Sequence, residues 1–197
     1  MTDITILNKY NSVLFLDCDG VYNYDLFYQE QFKDIKRYEN IPLYRTVRKL
    51  LRKLVKSKEI SGFDYYKNNM CPKVMSLINA LCVETNSAVV ISASMRNGHS
   101  IEEIQEIFKY CGATFTIIDK TPYTGYERGT EISKWLKDNC MKWFGVNYFD
   151  FHRFVIIDDD SDMLLNQQYN FFKVDNYCGF TPTNYNDIRK FLLHKTF

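Results

Sequence analysis

Two aspartates, Asp17 and Asp19, stand one residue apart and are followed at once by Gly20, closing an apolar run that starts at Val13. Val13 to Leu16 reads as a strand buried on both faces. An ionised carboxylate at the end of such a strand is costly unless a cation waits there. Side chains alternate faces along a strand, so two acids that work together require the chain to leave the ladder after Leu16. Gly20 permits that break, because glycine tolerates positive φ and close backbone approach. A second acidic string, Asp158-Asp159-Asp160 with Asp162, follows the apolar run Phe154 to Ile157. Carboxylates clustered after a buried strand call for a divalent ion, and Mg²⁺ takes oxygen ligands while needing only one or two carboxylates. Both strings imitate the opening of a calcium-binding helix-loop-helix. That reading fails, because Tyr28 and Tyr169 stand where the loop needs its closing glutamate.

A third apolar run, Val89-Val90-Ile91, ends at Ser92, with Ala93, Ser94 and Arg96 just beyond. A hydroxyl at the end of a buried strand can hold a phosphate oxygen without adding charge; it can also do no more than turn the chain. The Arg96 fork matches oxyanion geometry, and an ion-pair partner at the surface is the other use for it. Histidine chemistry finds no support, since His99, His152 and His194 lack a partner motif. Cys18 has no neighbouring histidine, so a thiolate nucleophile is equally unsupported.

The elements that must position these residues alternate strand and helix. Residues 22–41 are polar and aromatic with poor periodicity and read as a loop or flap. Residues 42–58 carry Leu43, Val47, Leu50, Leu51, Leu54 and Val55 on one helical stripe and six basic residues on the other face. That basic face suits nucleic acid or anionic lipid, or simply solvent. Pro72 opens a helix through Val74, Leu77, Ile78 and Leu81, leading to a strand at Ala88 to Ile91. Ser100 and Glu103 form a capping box for a helix that Gly112 closes. Strands follow at Thr114 to Ile118, Phe154 to Ile157 and Phe171 to Val174. Thr130 is the expected cap of the helix that carries Ile132, Trp135 and Leu136, and a closing helix spans Asn184 to Leu193. This alternation implies a Rossmann-like α/β fold: a parallel sheet with helices on both faces. Sites in such sheets form beyond the carboxyl ends of the strands, where Asp17 lies.

At 197 residues the chain suits a single domain, residues 1–197, with a small cap inserted after the first strand at about 22–70. A chain of this size buries about 70% of its unfolded surface. The net charge of +1 argues against a whole-surface attraction for nucleic acid or membrane. The six cysteines are scattered without a C-x-x-C pair, which reads as reduced thiols in a reducing compartment. With no signal-like start and no long apolar run, a cytoplasmic protein without membrane partners is the expectation.

Leu16-Asp-Cys-Asp-Gly-Val-Tyr-Asn23 resembles the first motif of the haloacid dehalogenase (HAD) superfamily, an apolar strand followed by D-x-D-G-[TV]. Ser92 matches that superfamily's second motif, and the pair Asp158-Asp159 its fourth. The third motif is usually a lysine at a helix start. Arg128 has that position here, with Lys120 as the fallback. Over residues 13–181 the chain is most similar to the phosphatase-like domains associated with Swiss Army Knife RNA repair proteins. It shares with them D-x-D-G-V-x-N, S-x-S-x-R, R-x-x-E-I-x-x-W-L, I-D-D-D and the late Gly179-Phe180-Thr181.

The resemblance implies an Mg²⁺-dependent phosphohydrolase in which Asp17 is the nucleophile and forms an aspartyl-phosphate, and Asp19 is the general acid and base. It implies Asp17, the Asp19 carbonyl, Asp158 and Asp159 as metal ligands, and Ser92, Ala93, Arg96 and Arg128 as ligands of the substrate phosphate. Asp160 and Asp162 are left to polarise neighbours or sit in solvent. A phosphorylated substrate is expected; the basic stretch with Tyr24, Phe27, Tyr28, Tyr123 and Tyr126 suits nucleic-acid ends or nucleotides, while core and loop filling is the preferred reading for most of these rings taken singly. The competing expectations are a sugar-phosphate phosphatase and a non-catalytic phosphate- or partner-binding module.

Overall fold

The computed structural model describes residues 9–31 and 62–194. Five parallel strands form one sheet: β1 (Ser12–Leu16), β2 (Ser87–Ile91), β3 (Ile117–Lys120), β4 (Phe154–Asp158) and β5 (Phe171–Lys173). Their order across the sheet is β3-β2-β1-β4-β5. Helices α1 (Asp25–Gln31), α2 (Gly62–Asn69) and α3 (Pro72–Thr85) lie between β1 and β2 in sequence. Helices α4 (Ile101–Tyr110), α5 (Arg128–Phe144) and α6 (Pro182–His194) are the remaining α-helices among the described residues. The basic stretch at 42–58 lies outside the described residues. Among the described residues no helix is long and apolar enough to cross a membrane.

Every residue of β1, β2 and β4 is buried, as continuous apolar runs in a parallel sheet require. Alternation divides β1 between two cores. Leu14 and Leu16 pack on one side with Ile78, Leu81, Ile104, Phe108 and Ile188, from α3, α4 and α6. Val13 and Phe15 pack on the other with Ile132, Trp135 and Leu136 of α5. There the Phe15 and Trp135 rings meet edge to face at 5.4 Å. The expected sheet with helices on both faces is thus present.

Besides α2, a helix that was not expected, three elements differ from their expected form. Helix α1 occupies part of the stretch read as a loop. Its first N–H groups are satisfied from far away, Asp25 N by Asn176 O at 3.2 Å and Leu26 N by Tyr177 O at 3.0 Å, a non-local cap that local periodicity does not register. Strand β3 is shifted toward the C-terminus and runs through Asp119 and Lys120. Those polar residues are tolerated because the Asp119 carboxylate accepts from Trp135 Nε1 at 2.7 Å and from Lys120 N at 2.8 Å. Thr114, expected in the strand, instead gives its N–H to Asn79 Oδ1 at 2.8 Å. Helix α5 begins at Arg128, ahead of Thr130. Its first N–H groups are taken by Asp162, whose carboxylate accepts from Arg128 N at 3.0 Å and whose carbonyl accepts from Gly129 N at 3.1 Å. The Ser100–Glu103 capping box of α4 forms as expected.

Candidate active site at the strand tips

The register of the sheet assembles the site. Leu16 pairs with Ile91 of β2 and with Ile157 of β4, so the next residue of each strand, Asp17, Ser92 and Asp158, stands abreast of the others. Backbone bonds extend the ladder to this level: Asp17 N donates to Ile157 O and Ser92 N to Leu16 O, both at 3.0 Å. Connections leave β1 toward β2 on one side and reach β4 on the other, so the strand order reverses between β1 and β4. Such a reversal opens a crevice at the carboxyl ends of the strands. Asp17 and Asp158 flank it.

Three acids converge there. One carboxylate oxygen from each of Asp17, Asp158 and Asp159 lies within 4.8 Å of the others. Asp17 is 4% exposed and Asp158 fully buried. Arg128 is their counter-charge, with Nη1 2.5 Å from Asp17 Oδ1 and 2.8 Å from Asp158 Oδ2. The second contact lies off the direction of a hydrogen bond, and Asp158 Oδ2 accepts none. One guanidinium does not balance three carboxylates. Burial, reinforced by neighbouring acids and opposed by Arg128, pushes Asp17 up to about 6 and Asp158 up to about 7. Asp159 is raised as well, first by burial. Burial alone would lower Arg128, but the charges of Asp17 and Asp158 outweigh it and hold it well above its ordinary value. An all-oxygen donor set, an excess of negative charge and a buried carboxylate oxygen without a hydrogen bond fit a hard dication such as Mg²⁺.

Gly20 couples the two acidic strings. Its φ is +72°, and a Cβ there would lie 2.3 Å from Asp159 Oδ2, so Asp159 packs directly on the Gly20 backbone. Asp19 is exposed and its side chain stands outside the acid cluster. Asn23 holds it, donating from Nδ2 to Asp19 Oδ1 at 2.7 Å while Asn23 Oδ1 accepts from Gly20 N at 3.0 Å. Asp162 is engaged in capping α5, and Gln167 fastens the same corner by donating to Gly129 O at 2.8 Å. Gly129 is required there, since a Cβ would meet Leu164 N at 2.5 Å. The loop after β4 therefore sets the helix turn that carries Arg128.

The expected phosphate ligands fall into two groups. The Ser92 hydroxyl is completely buried and has no hydrogen-bond partner, and Ala93 is buried beside it. Arg96, expected as a second clamp, has its terminal nitrogens turned elsewhere. Nη2 pairs with the buried Glu131, while Nη1 donates to Ser92 O and, at 3.0 Å, to Ala93 O. Glu131 also accepts from Thr124 N at 2.8 Å. Lys120, the fallback cation, gives its ammonium to Arg96 O at 2.9 Å and His99 O at 2.5 Å. Of the two cations considered for the nucleophile, Arg128 is therefore the one that reaches Asp17.

Glu131 and the capping role of Asp162 escaped the sequence reading. The available signal for Glu131 was an acid beside the buried stripe Ile132, Trp135 and Leu136, a place that demands a cation.

A five-stranded parallel sheet with acids at the tips of the adjacent strands β1 and β4, a buried hydroxyl at the tip of β2 and a helix-borne arginine defines a domain of the HAD superfamily. A family model described as the HAD domain in Swiss Army Knife RNA repair proteins matches residues 13–185, and the chain belongs to that family. Neither a curated protein nor a solved structure matches it.

Proposed function

We propose that the protein is an Mg²⁺-dependent phosphohydrolase that acts through a phosphoryl group carried on Asp17. The observation that carries this reading is the convergence of Asp17, Asp158 and Asp159 around Arg128 at the topological switch point. The Asp17 carboxylate attacks phosphorus, and the bond from phosphorus to the leaving oxygen breaks. Asp19, steadied by Asn23, gives that oxygen its proton. Water then attacks the aspartyl-phosphate, Asp19 takes the proton from it, and inorganic phosphate leaves with Asp17 restored. Splitting one displacement into two is the gain from the covalent intermediate, and positioned acid–base help contributes roughly 10²–10⁴-fold.

The residues that would hold Mg²⁺ are Asp17, Asp158, Asp159 and the Asp19 carbonyl; when bound, the ion supplies Lewis-acid charge at the transferring phosphoryl group. Ser92 offers its unpartnered hydroxyl, and Ala93 its place beside it, to the phosphoryl oxygens; Arg128 neutralises charge that builds up on them. Arg96 serves from behind, holding the Ser92-Ala93 turn. The family's association with RNA repair supports a nucleotide or a nucleic-acid end as the phosphorylated substrate.

Turnover of p-nitrophenyl phosphate tests the reading. Wild type is expected to require Mg²⁺ and to stop on chelation. Asp17→Asn should lose about 10³-fold or more, and Asp19→Asn roughly 10²–10⁴-fold. Retention of full Mg²⁺-dependent turnover by Asp17→Asn would remove the mechanism. Mg²⁺ binding with no hydrolysis across a broad panel of phosphomonoesters would make the domain a binding module.

A further inference from the structure

A cavity of about 240 Å³ opens beside Asp19, between the turn after β1 and helix α2. On the proposed mechanism, on which this inference rests, the leaving oxygen is the one Asp19 protonates, so the group attached to that oxygen sits on the side of Asp19. The walls of this cavity therefore select the leaving group.

Rings and thioethers share those walls with Asp19, Asn23, Asn69 and Ser94. Tyr22, Tyr65, Tyr66, Met70 and Met95 line the cavity, with Tyr65 and Tyr66 edge to face at 5.4 Å. Three of the polar side chains among them are already engaged, whereas Tyr22 Oη is buried without a partner. Asn23 is held at both ends by Asp19 and Gly20. Asn69 donates to Tyr65 O at 2.6 Å and accepts from Tyr28 Oη at 2.9 Å. Tyr66 Oη is bonded to His99 Nε2 at 3.0 Å. A polyol placed here would surrender hydrogen bonds to water and find Asn23, Asn69 and Tyr66 already bonded. A second phosphate would meet Asp19 and, among the described lining residues, no lysine or arginine. A flat ring suits the walls, because aromatic and thioether groups favour ring faces and edges.

We infer that this cavity is the specificity pocket of the enzyme, and that it takes phosphomonoesters of an uncharged alcohol bearing one planar ring, with Tyr65 as the ring's principal contact. Nucleosides and simple aryl alcohols share that chemistry. Ring stacking of this kind changes affinity by about five- to 150-fold.

Equilibrium binding separates this inference from the hydrolase reading. The Asp17→Asn variant, with Mg²⁺ present, is titrated with uridine 3′-phosphate, uridine 5′-phosphate, phenyl phosphate, glucose 6-phosphate and fructose 1,6-bisphosphate, while wild-type turnover is followed on acetyl phosphate, which has no ring. The expected result is at least about tenfold tighter binding of a ring ester than of either sugar phosphate. The nucleotide arms against phenyl phosphate tell which ring source is preferred. Adding Tyr65→Ala should abolish the preference, and Tyr65→Phe should keep it. Equal or tighter binding of a sugar phosphate overturns the inference, as does a ring preference that survives Tyr65→Ala. Selective ring binding with no wild-type turnover of any of these esters or of acetyl phosphate overturns the hydrolase reading and leaves the pocket standing.

Discussion

Gly20 serves the site through what it lacks. Its φ of +72° and the 2.3 Å that a Cβ would leave to the Asp159 carboxylate make Gly20→Ala a change to both backbone and ligand. The variant should lose about 1–3 kcal/mol of stability and bind Mg²⁺ more weakly, read by urea denaturation and by metal titration. Asp17 and Asp158 carry a pH signature. Their folded values, raised to about 6 and about 7 from an ordinary 3.8, mean that between about pH 4 and pH 7 the folded state holds protons the unfolded chain has released. Stability of the metal-free protein should therefore fall as pH rises through that window. Mg²⁺ bound at the proposed site would compete with those protons for the same oxygens, so the rise in Tm on adding Mg²⁺ should be larger at pH 8 than at pH 5; an Mg²⁺ shift of equal size at both would separate the ion from these carboxylates. The acids and Gly20 were legible as D-x-D-G and I-D-D-D. The engagement of Arg96 with Glu131 was not, because both are ordinary charged residues until the fold brings β2 and α5 together.

Helix α5 is held at its start by side chains rather than by its own sequence. Asp162 caps it from the loop after β4, and Glu131, one turn in, ties it to Arg96 and Thr124. Asp162→Ala should cost about 1 kcal/mol and lower turnover through a loosened Arg128. Glu131→Gln leaves the buried Arg96 guanidinium without its counter-charge and should cost about 3 kcal/mol. The double replacement Arg96→Met with Glu131→Leu should recover most of that stability, a coupling that a double-mutant cycle in urea measures. Additive losses would mean the two residues act separately. At this scale the apolar runs of β1, β2 and β4 could be read directly, since strands buried on both faces leave little choice. Strand β3 was misplaced because its tail is polar and its partners, Trp135 and the Arg96 and His99 carbonyls, are remote in sequence. Helix α1 was missed because its cap comes from Asn176 and Tyr177.

For the whole molecule, the sheet order β3-β2-β1-β4-β5 is what turns separate motifs into one site. The alternation of strands and helices foretold a parallel sheet, but not which strands would be neighbours; the register of β1 with β2 and β4 supplies that. A crevice between β1 and β4, with acid on both walls and one arginine between them, suits a reaction in which a carboxylate briefly carries a phosphoryl group. Rapid acid quench of the protein during Mg²⁺-dependent turnover of p-nitrophenyl phosphate, followed by mass spectrometry of its peptides, tests that claim most directly. The account predicts a hydroxylamine-labile adduct with the mass of one phosphoryl group on the peptide containing Asp17, absent from Asp17→Asn. Sustained turnover with no adduct on that peptide, or an adduct on another residue, would contradict it.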